Sequence, residues 1–262
     1  MAVIGILTCE LLELEFAQLL GADAEVRRIS VLEDRQSTRM IELLEAKPIR
    51  NLQRLPHIHA FHADPTEPLE VLVRVLELGL HRSRKVLRLA LSSAAHELSP
   101  HVEALLLGYG LCGNALDDPR AVLDVDVPVF LPMDHGHPVD DCVALCLGGR
   151  AAYYAEQRET PGTFFVTPGW ALHWKRMLCS RSLDAAQPVL KRVLAGYERA
   201  LLVQTPALPQ DEMLRRGAEL CRQTGLRLEA REGTMELLVV AWAAAKDALQ
   251  SKTAAGAVDV SP

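Results

Sequence analysis

The chain has 262 residues, of which 49% are hydrophobic and 24% are charged, and its formal net charge at pH 7 is −6. This length and composition predict a globular protein of one or two domains, and the acidic balance argues against a general nucleic-acid-binding protein. No apolar stretch is long enough to cross a bilayer and the sequence begins directly with a strand pattern, so we expect a cytoplasmic protein that binds neither nucleic acid nor membrane.

The first half of the chain alternates between strand and helix patterns. A β-branched apolar run at residues 2–7 predicts a first strand, and Thr8 is a candidate cap for the helix that follows it. The later patterns predict, in order, a strand at 25–30, a helix at 33–46, an extended segment at 55–65, an amphipathic helix at 68–80, a helix or strand at 85–91, a strand at 102–107 and a loop at 117–127.

The second half continues in the same way. It predicts strands at 127–131, 163–167, 200–204 and 226–230, and helices at 139–147, 209–224 and 235–249. Strands that alternate with helices indicate an α/β fold with parallel sheets and flanking helices, here in two Rossmann-like halves. We expect an N-terminal half at residues 1–150 carrying a cysteine-rich site, a C-terminal half at 151–250 and a disordered tail at 251–262.

One stretch points to a binding site more strongly than the rest. The apolar run at residues 104–107 passes into GYGLCGN, in which Gly110 and Gly113 flank Cys112. Glycines allow positive φ and close approach, and the carboxyl ends of parallel strands are where open α/β sheets bind ligands. The same letters spell GxGxxG, but a dinucleotide site needs a helix to begin there, and the following ALDDP cannot form a long one.

Three of the six cysteines share a predicted location. Cys9, Cys112 and Cys142 each follow a strand or begin the next helix, which places them at one edge of a parallel sheet. Thiolates bind zinc and iron–sulfur clusters, so we expect a metal site there, with His62, His135 or His137 as fourth ligand or an open position. The alternative is that two of them are core cysteines and one is an exposed cysteine, because the chain has no CxxC pair.

Other residues complete the predicted site. Asp141 precedes Cys142 at the start of a helix, and Trp170 follows a strand and either lines a pocket or covers the core. We therefore expect Gly110, Gly113, Asp141 and Trp170 to contact a cofactor. The remaining cysteines, Cys146, Cys179 and Cys221, lie in helix patterns and are predicted to be structural.

In combination, several motifs resemble a family of prokaryotic cytoplasmic proteins catalogued as a domain of unknown function. They are GYGLCGN at residues 108–114, the Asp-Cys pair at 141–142 and PGTFFVTPGW at 161–170, with Cys9, Glu15 and His62 also fitting, over residues 3–235. Members of the family are associated with corrinoid-linked methyl transfer in one-carbon metabolism, so the resemblance implies a corrinoid or methyltransferase protein as partner. This chain departs from the pattern in the long connection PMDHGHPVDDC, which contains His135 and His137, and in a C-terminal helix that replaces a final strand.

Three functions remain open from the sequence. The first is a thiolate site at the sheet edge, formed by Cys9, Cys112, Cys142 and His62, that holds zinc or an iron–sulfur cluster for methyl or other group transfer. The second is a metal-free enzyme in which Cys112 or Cys142 is a nucleophile activated by a helix N-terminus. The third is a non-catalytic module that binds a small molecule or cofactor and presents it to a partner.

Overall fold

The described residues form two parallel sheets, and the larger of them contains the N-terminal strands. The computed structural model describes residues 2–178 and 192–256, with side chains described up to residue 250. The six strands pair in the order β3-β2-β4-β1-β5-β6, all in parallel. They are β1 Val3–Cys9, β2 Arg28–Leu32, β3 Asn51–Leu55, β4 Glu70–Leu76, β5 Ala104–Gly108 and β6 Val129–Phe130.

Strands β1 and β5 lie side by side near the centre of this sheet. Ile4 pairs with Ala104 and Thr8 with Gly108, so the two strands end at the same level. The chain continues from β1 to β2 on one side of the sheet and from β5 to β6 on the other. Such a reversal of strand order opens a crevice at the carboxyl ends, where α/β sheets bind their ligands.

A second, smaller sheet and a set of helices complete the fold. The second sheet is parallel, with the order β11-β10-β9, and a two-stranded antiparallel ribbon joins β7 to β8. These strands are β7 Met133–Asp134, β8 His137–Pro138, β9 Thr163–Val166, β10 Arg199–Gln204 and β11 Arg227–Glu232. The α-helices of the described residues are α1 Glu13–Ala22, α2 Thr38–Glu45, α3 Arg84–Leu98, α4 Pro119–Leu123, α5 Cys142–Leu147, α6 Arg150–Glu159, α7 Pro168–Leu178, α8 Gln210–Thr224 and α9 Glu236–Gly256. Short 3-10 helices lie at Glu10–Leu12, Ile58–Ala60, Leu80–Arg82 and Ser99–His101.

One hydrophobic core joins the two sheets. Alternate residues of β1 face opposite sides of the large sheet, and Ile4 belongs to a cluster that also contains Phe165 of β9 and Trp242 of α9. Val3 belongs to a separate cluster on the other face. Helix α9 is tied to the N-terminal half by a hydrogen bond of 2.7 Å from Trp242 Nε1 to Asp23 Oδ2. No helix of the described residues has the length and apolar character needed to span a bilayer.

The structure confirms the predicted α/β fold with parallel sheets and flanking helices, but it corrects some elements. The expected helix at residues 68–80 is wrong, because β4 occupies Glu70–Leu76 between β1 and β2. A strand buried on both faces reads as a continuous apolar run, and Val71, Val73 and Val75 are β-branched residues that favour a strand. The extended segment at 55–65 contains the 3-10 helix Ile58–Ala60.

One predicted loop and one predicted helix cap also differ from the structure. The expected loop at 117–127 contains α4, because Asp118 accepts a hydrogen bond from the Ala121 amide at 3.1 Å and Pro119 begins the helix. Thr8 is the penultimate residue of β1 and not a helix cap, since Cys9 holds the capping position of the following 3-10 helix. Helix α9 continues to Gly256, inside the segment predicted as a tail, while Cys179 and residues 257–262 lie outside the described residues.

Candidate functional site

A cavity of about 360 Å³ lies at the carboxyl ends of β1 and β5. Three thiols line it: Cys9 at the end of β1, Cys112 in the loop after β5, and Cys142 at the first position of α5. They come from three distant parts of the sequence. The parallel sheet brings together the cysteines that the sequence pattern predicted at one edge.

Cys9 is held where β1 passes into the 3-10 helix Glu10–Leu12. Only 8% of Cys9 is exposed, and this burial raises the pKa of its thiol to about 12. The Tyr109 side chain lies beside it, and burial raises the pKa of the Tyr109 hydroxyl well above its usual value. The Tyr109 hydroxyl, although buried, makes no contact of hydrogen-bond geometry with any described group. The thiol and the hydroxyl are therefore both uncharged groups at the cavity wall.

Cys112 occupies a backbone conformation that residues other than glycine seldom adopt. Its φ is +44°, in the left-handed region, and a non-glycine residue there is under strain of the kind found at ligand sites. The loop is held against the segment before α5 by hydrogen bonds of 2.8 Å from Leu111 N to Val139 O and from Cys112 N to Asp140 O. Gly110 allows this contact, because a Cβ there would lie 2.3 Å from Val139 O.

Helix α3 fixes the far side of the Cys112 loop. Arg88 Nε donates to Ala115 O at 2.9 Å, and Arg84 Nε donates to Gly113 O at 3.2 Å. Arg88 also forms a salt bridge with Asp117. These contacts satisfy loop carbonyls that no regular secondary structure would satisfy.

Cys142 begins α5 directly after its cap, Asp141. Asp141 Oδ1 accepts hydrogen bonds of 2.9 Å from the amides of Val143 and Ala144, which is an N-cap. Burial nevertheless raises the pKa of the Asp141 carboxyl. For Cys142, burial and then the nearby Asp141 charge raise the pKa of the thiol well above its usual value.

The three thiols influence one another electrostatically. A charge on Cys112 raises the pKa of Cys9, and charges on Cys112 and Cys9 raise that of Cys142. Burial is the largest cause in each case, and it also raises the pKa of Cys112 to about 11. The sequence predicts that a helix N-terminus favours a thiolate at Cys142. The pKa of that thiol is raised instead, because desolvation outweighs the helix dipole here.

Aromatic side chains form another part of the cavity lining. They are Tyr153 of α6, Phe164 and Phe165 of β9, Trp170 of α7 and Tyr197 before β10. The ring of Phe164 lies nearly perpendicular to that of Trp170, with centroids 5.4 Å apart and an interplanar angle of 81°. It makes a similar contact with Tyr197, at 5.5 Å and 84°. Both sheets therefore contribute to one cavity.

Seven of the eight predicted site residues line this cavity: Cys9, Gly110, Cys112, Gly113, Asp141, Cys142 and Trp170. The eighth, His62, is not among the lining residues; its Nδ1 contacts Ala60 O at 3.1 Å and its carbonyl accepts from Arg28. His135 and His137 are also elsewhere, bordering a surface depression with Asp134. Thus the structure leaves each of the three histidines considered as a fourth ligand outside the cavity.

His81 is the lining histidine that the sequence analysis missed. It lies in the 3-10 helix Leu80–Arg82 that follows β4, the strand beside β1. Burial lowers the pKa of its imidazole, while the Asp141 charge acts in the opposite direction. A neutral imidazole can bind a metal ion or accept a proton. Reading residues 70–76 as a strand would have placed His81 beyond the same sheet edge as Cys9.

The donor types fit a soft metal ion, but the donors are not yet assembled. Sulfur and imidazole nitrogen are the ligands that zinc prefers. Within the part of the chain that the structure describes, no three His, Cys, Asp or Glu side chains form a group that could hold a metal ion as they stand. Metal binding therefore requires the thiols to move closer together.

The other cysteines behave as structural residues where they are described. Cys146 is fully buried in α5, and its thiol lies 3.9 Å from Glu15 Oε1. Glu15 also accepts a hydrogen bond of 3.1 Å from Thr205, and burial raises the pKa of its carboxyl to about 7. Cys221 lies partly buried on α8 and does not line the cavity.

Comparison with known proteins gives a family match. The family model described as "Protein of unknown function (DUF1638)" matches residues 75–241, a segment that contains His81, Cys112, Cys142 and Trp170 and begins after Cys9. Neither the curated proteins nor the solved structures contain a match to this chain.

Proposed function

The chain belongs to the DUF1638 family, and from its site we propose that Cys9, Cys112 and Cys142 together bind a zinc ion or an iron–sulfur cluster. The observation that carries the proposal is that three cysteines from distant parts of the sequence line one cavity. His81 replaces His62 as the proposed nitrogen ligand, because it is the histidine that lines the same cavity. Three sulfurs and one nitrogen make a tetrahedral zinc set.

The protonation state of the thiols sets the condition for metal binding, because each thiol must lose its proton to become a ligand. Burial raises the pKa of Cys9 to about 12 and that of Cys112 to about 11, so the metal-free cavity holds neutral thiols. A metal ion replaces the thiol protons and neutralises the thiolates that burial otherwise disfavours. Binding would release protons and draw the sulfur atoms together.

The proposed chemistry is group transfer, including methyl transfer, in the cytoplasm. A bound zinc ion supplies a Lewis acid that activates a thiol or water or polarises an acceptor, whereas a cluster supplies electrons. Trp170 and the other aromatic rings give the cavity an apolar wall, and Asp141 caps the start of α5 and so positions Cys142. The resemblance to this family is the reason to propose a corrinoid or methyltransferase protein as partner.

The two alternatives have less physical support. A cysteine nucleophile without metal needs a thiolate at neutral pH, and burial acts against one at both Cys112 and Cys142. A non-catalytic module that presents a cofactor would use the same cavity without turnover. Both remain as outcomes of the experiment below.

The test is metal and acid-labile sulfide analysis of the full chain purified without oxygen. Cys112→Ser is compared with Cys221→Ser, a matched control because Cys221 does not line the cavity. His81→Ala is compared in the same way with His62→Ala. We expect about one zinc per chain, or iron with sulfide, in wild type and in both controls.

The variants then decide the ligand set. The proposal predicts that Cys112→Ser loses the metal and that His81→Ala holds it more weakly. Metal retained in Cys112→Ser, or metal lost equally in Cys221→Ser, would contradict the proposed site. Protein that is free of metal and does not take up zinc would leave the nucleophilic thiol as the function to pursue.

A further inference from the structure

The aromatic part of the cavity has the shape of a corner. Phe164 stands nearly perpendicular to both Trp170 and Tyr197, at 81° and 84°, and Tyr153 stacks on Phe165 with centroids 5.0 Å apart. A flat ligand ring binds best between two parallel faces of aromatic side chains. Adjoining perpendicular faces instead suit a compact, rounded group that touches several rings at once.

The charge of the cavity lining is negative. Asp141 is the carboxylate among the described lining residues, and none of those residues is a lysine or an arginine. Phosphorylated and carboxylated ligands normally need such cationic partners. A ligand with a positive charge is favoured by the Asp141 carboxylate and by the negative faces of the aromatic rings.

One buried polar group among the lining residues, the Tyr109 hydroxyl, is incompletely satisfied. Tyr109 lines the cavity with only 4% of the residue exposed, and its hydroxyl is buried beside the Cys9 thiol without a contact of full hydrogen-bond geometry to a described group. A buried polar group without a partner costs free energy, which a ligand that carries a hydrogen-bonding atom would recover. The ligand is therefore expected to have a short polar arm beside its charged head.

We propose that this cavity binds a methylated ammonium compound, with its cationic head in the corner formed by Phe164, Trp170 and Tyr197 and a polar arm directed to Tyr109. Methyl groups on nitrogen spread the charge over a rounded apolar surface, which is the form of cation that aromatic cages recognise. The cavity volume of about 360 Å³ is within the range of small-molecule sites. The inference rests on the proposed function for its cavity and names a substrate class for it, but it does not require the metal ion.

The test compares two probes of equal shape by titration calorimetry on the full chain. Choline carries the trimethylammonium group and a hydroxyl arm, and 3,3-dimethylbutan-1-ol replaces the nitrogen by an uncharged carbon. We expect choline to bind at least about tenfold more tightly than the alcohol. Equal affinity for the two probes, or no binding of choline at millimolar concentration, would overturn the proposal.

Variants locate the binding site. Trp170→Leu should weaken choline binding about tenfold, and Trp170→Phe should weaken it less because a ring is retained. Val240→Ala is the control, because Val240 is an exposed apolar residue that does not line the cavity. Choline binding that is unchanged in both Trp170 variants would place the ligand elsewhere and refute the assignment.

The same titration separates this proposal from the metal site. It is run on protein treated with a chelator and on protein loaded with zinc, with zinc uptake measured on each sample. Choline binding to protein that takes up no zinc and contains no iron with sulfide would refute the metal site alone, and zinc uptake without choline binding would refute the ammonium site alone.

Discussion

Replacing Gly110 by alanine is expected to disturb the contact that positions Cys112 next to the start of α5. An alanine Cβ would lie 2.3 Å from Val139 O, 2.9 Å from Asp141 N and 3.0 Å from the Asp140 carbonyl carbon. All three are backbone atoms, so no side-chain rotation relieves the overlap. The loop must move away by about 1 Å to reach an ordinary contact distance.

The energetic cost follows from the contacts that this movement disturbs. Overpacking of a well-packed site costs about 1–3 kcal/mol, and the displacement also weakens the 2.8 Å hydrogen bonds donated by Leu111 N and Cys112 N. We therefore expect the free energy of unfolding to fall by about 2–3 kcal/mol. The measurement is urea unfolding followed by far-ultraviolet circular dichroism.

Gly113→Ala is the matched control in the same loop. Gly113 has a φ of +67°, but no atom lies within 4 Å of where its Cβ would be. Its substitution therefore carries only the backbone cost, about 1 kcal/mol. If Gly110→Ala is no more destabilising than Gly113→Ala, or if Gly110→Ala binds as much metal as wild type, the close contact does not position Cys112 as argued.

Three further outcomes are expected. Burial raises the pKa of Glu15 to about 7, whereas its ordinary value is 4.5, so wild type loses stability as pH rises through this window. The free energy of unfolding of Glu15→Gln relative to wild type should therefore grow by about 3 kcal/mol from pH 4.5 to above pH 7. A constant difference would show that Glu15 ionises normally. Iodoacetamide at neutral pH should modify Cys221 faster than Cys112, measured by peptide mass spectrometry, because burial raises the pKa of Cys112 to about 11; faster modification of Cys112 would indicate a reactive thiolate. Trp242→Phe removes the hydrogen bond to Asp23 and should cost about 1 kcal/mol in urea unfolding, since Lys246 still pairs with Asp23; no loss would show that the bond contributes nothing.

The location of the thiols of the candidate site could be predicted because it follows from the topology of a parallel sheet. Parallel strands end at a common edge, so a cysteine after one strand and a cysteine opening the helix after another must lie near each other. To predict where Cys9, Cys112 and Cys142 lie, only the positions of β1, β5 and β6 were required, and the apolar runs indicate these strands. The glycines of GYGLCGN marked the loop in the same way.

His81 and most of the aromatic lining could not be predicted for different reasons. His81 was missed because β4, buried on both faces, has no alternating pattern and its apolar residues also fit a helix. Phe164, Tyr153 and Tyr197 reach the cavity because the second sheet and its helices pack against the first. Packing between sheets depends on the shapes of many side chains and leaves no local signal in the sequence.

The most direct test of the central claim is X-ray absorption at the zinc edge of the zinc-loaded full chain. If Cys9, Cys112 and Cys142 bind the ion together with His81, the first shell contains three sulfur atoms at about 2.3 Å and one nitrogen at about 2.0–2.1 Å. The spectrum of His81→Ala, which is expected to retain the metal, should lose the nitrogen, and that of Cys221→Ser should be unchanged. A first shell of nitrogen and oxygen alone would contradict a thiolate-held metal site.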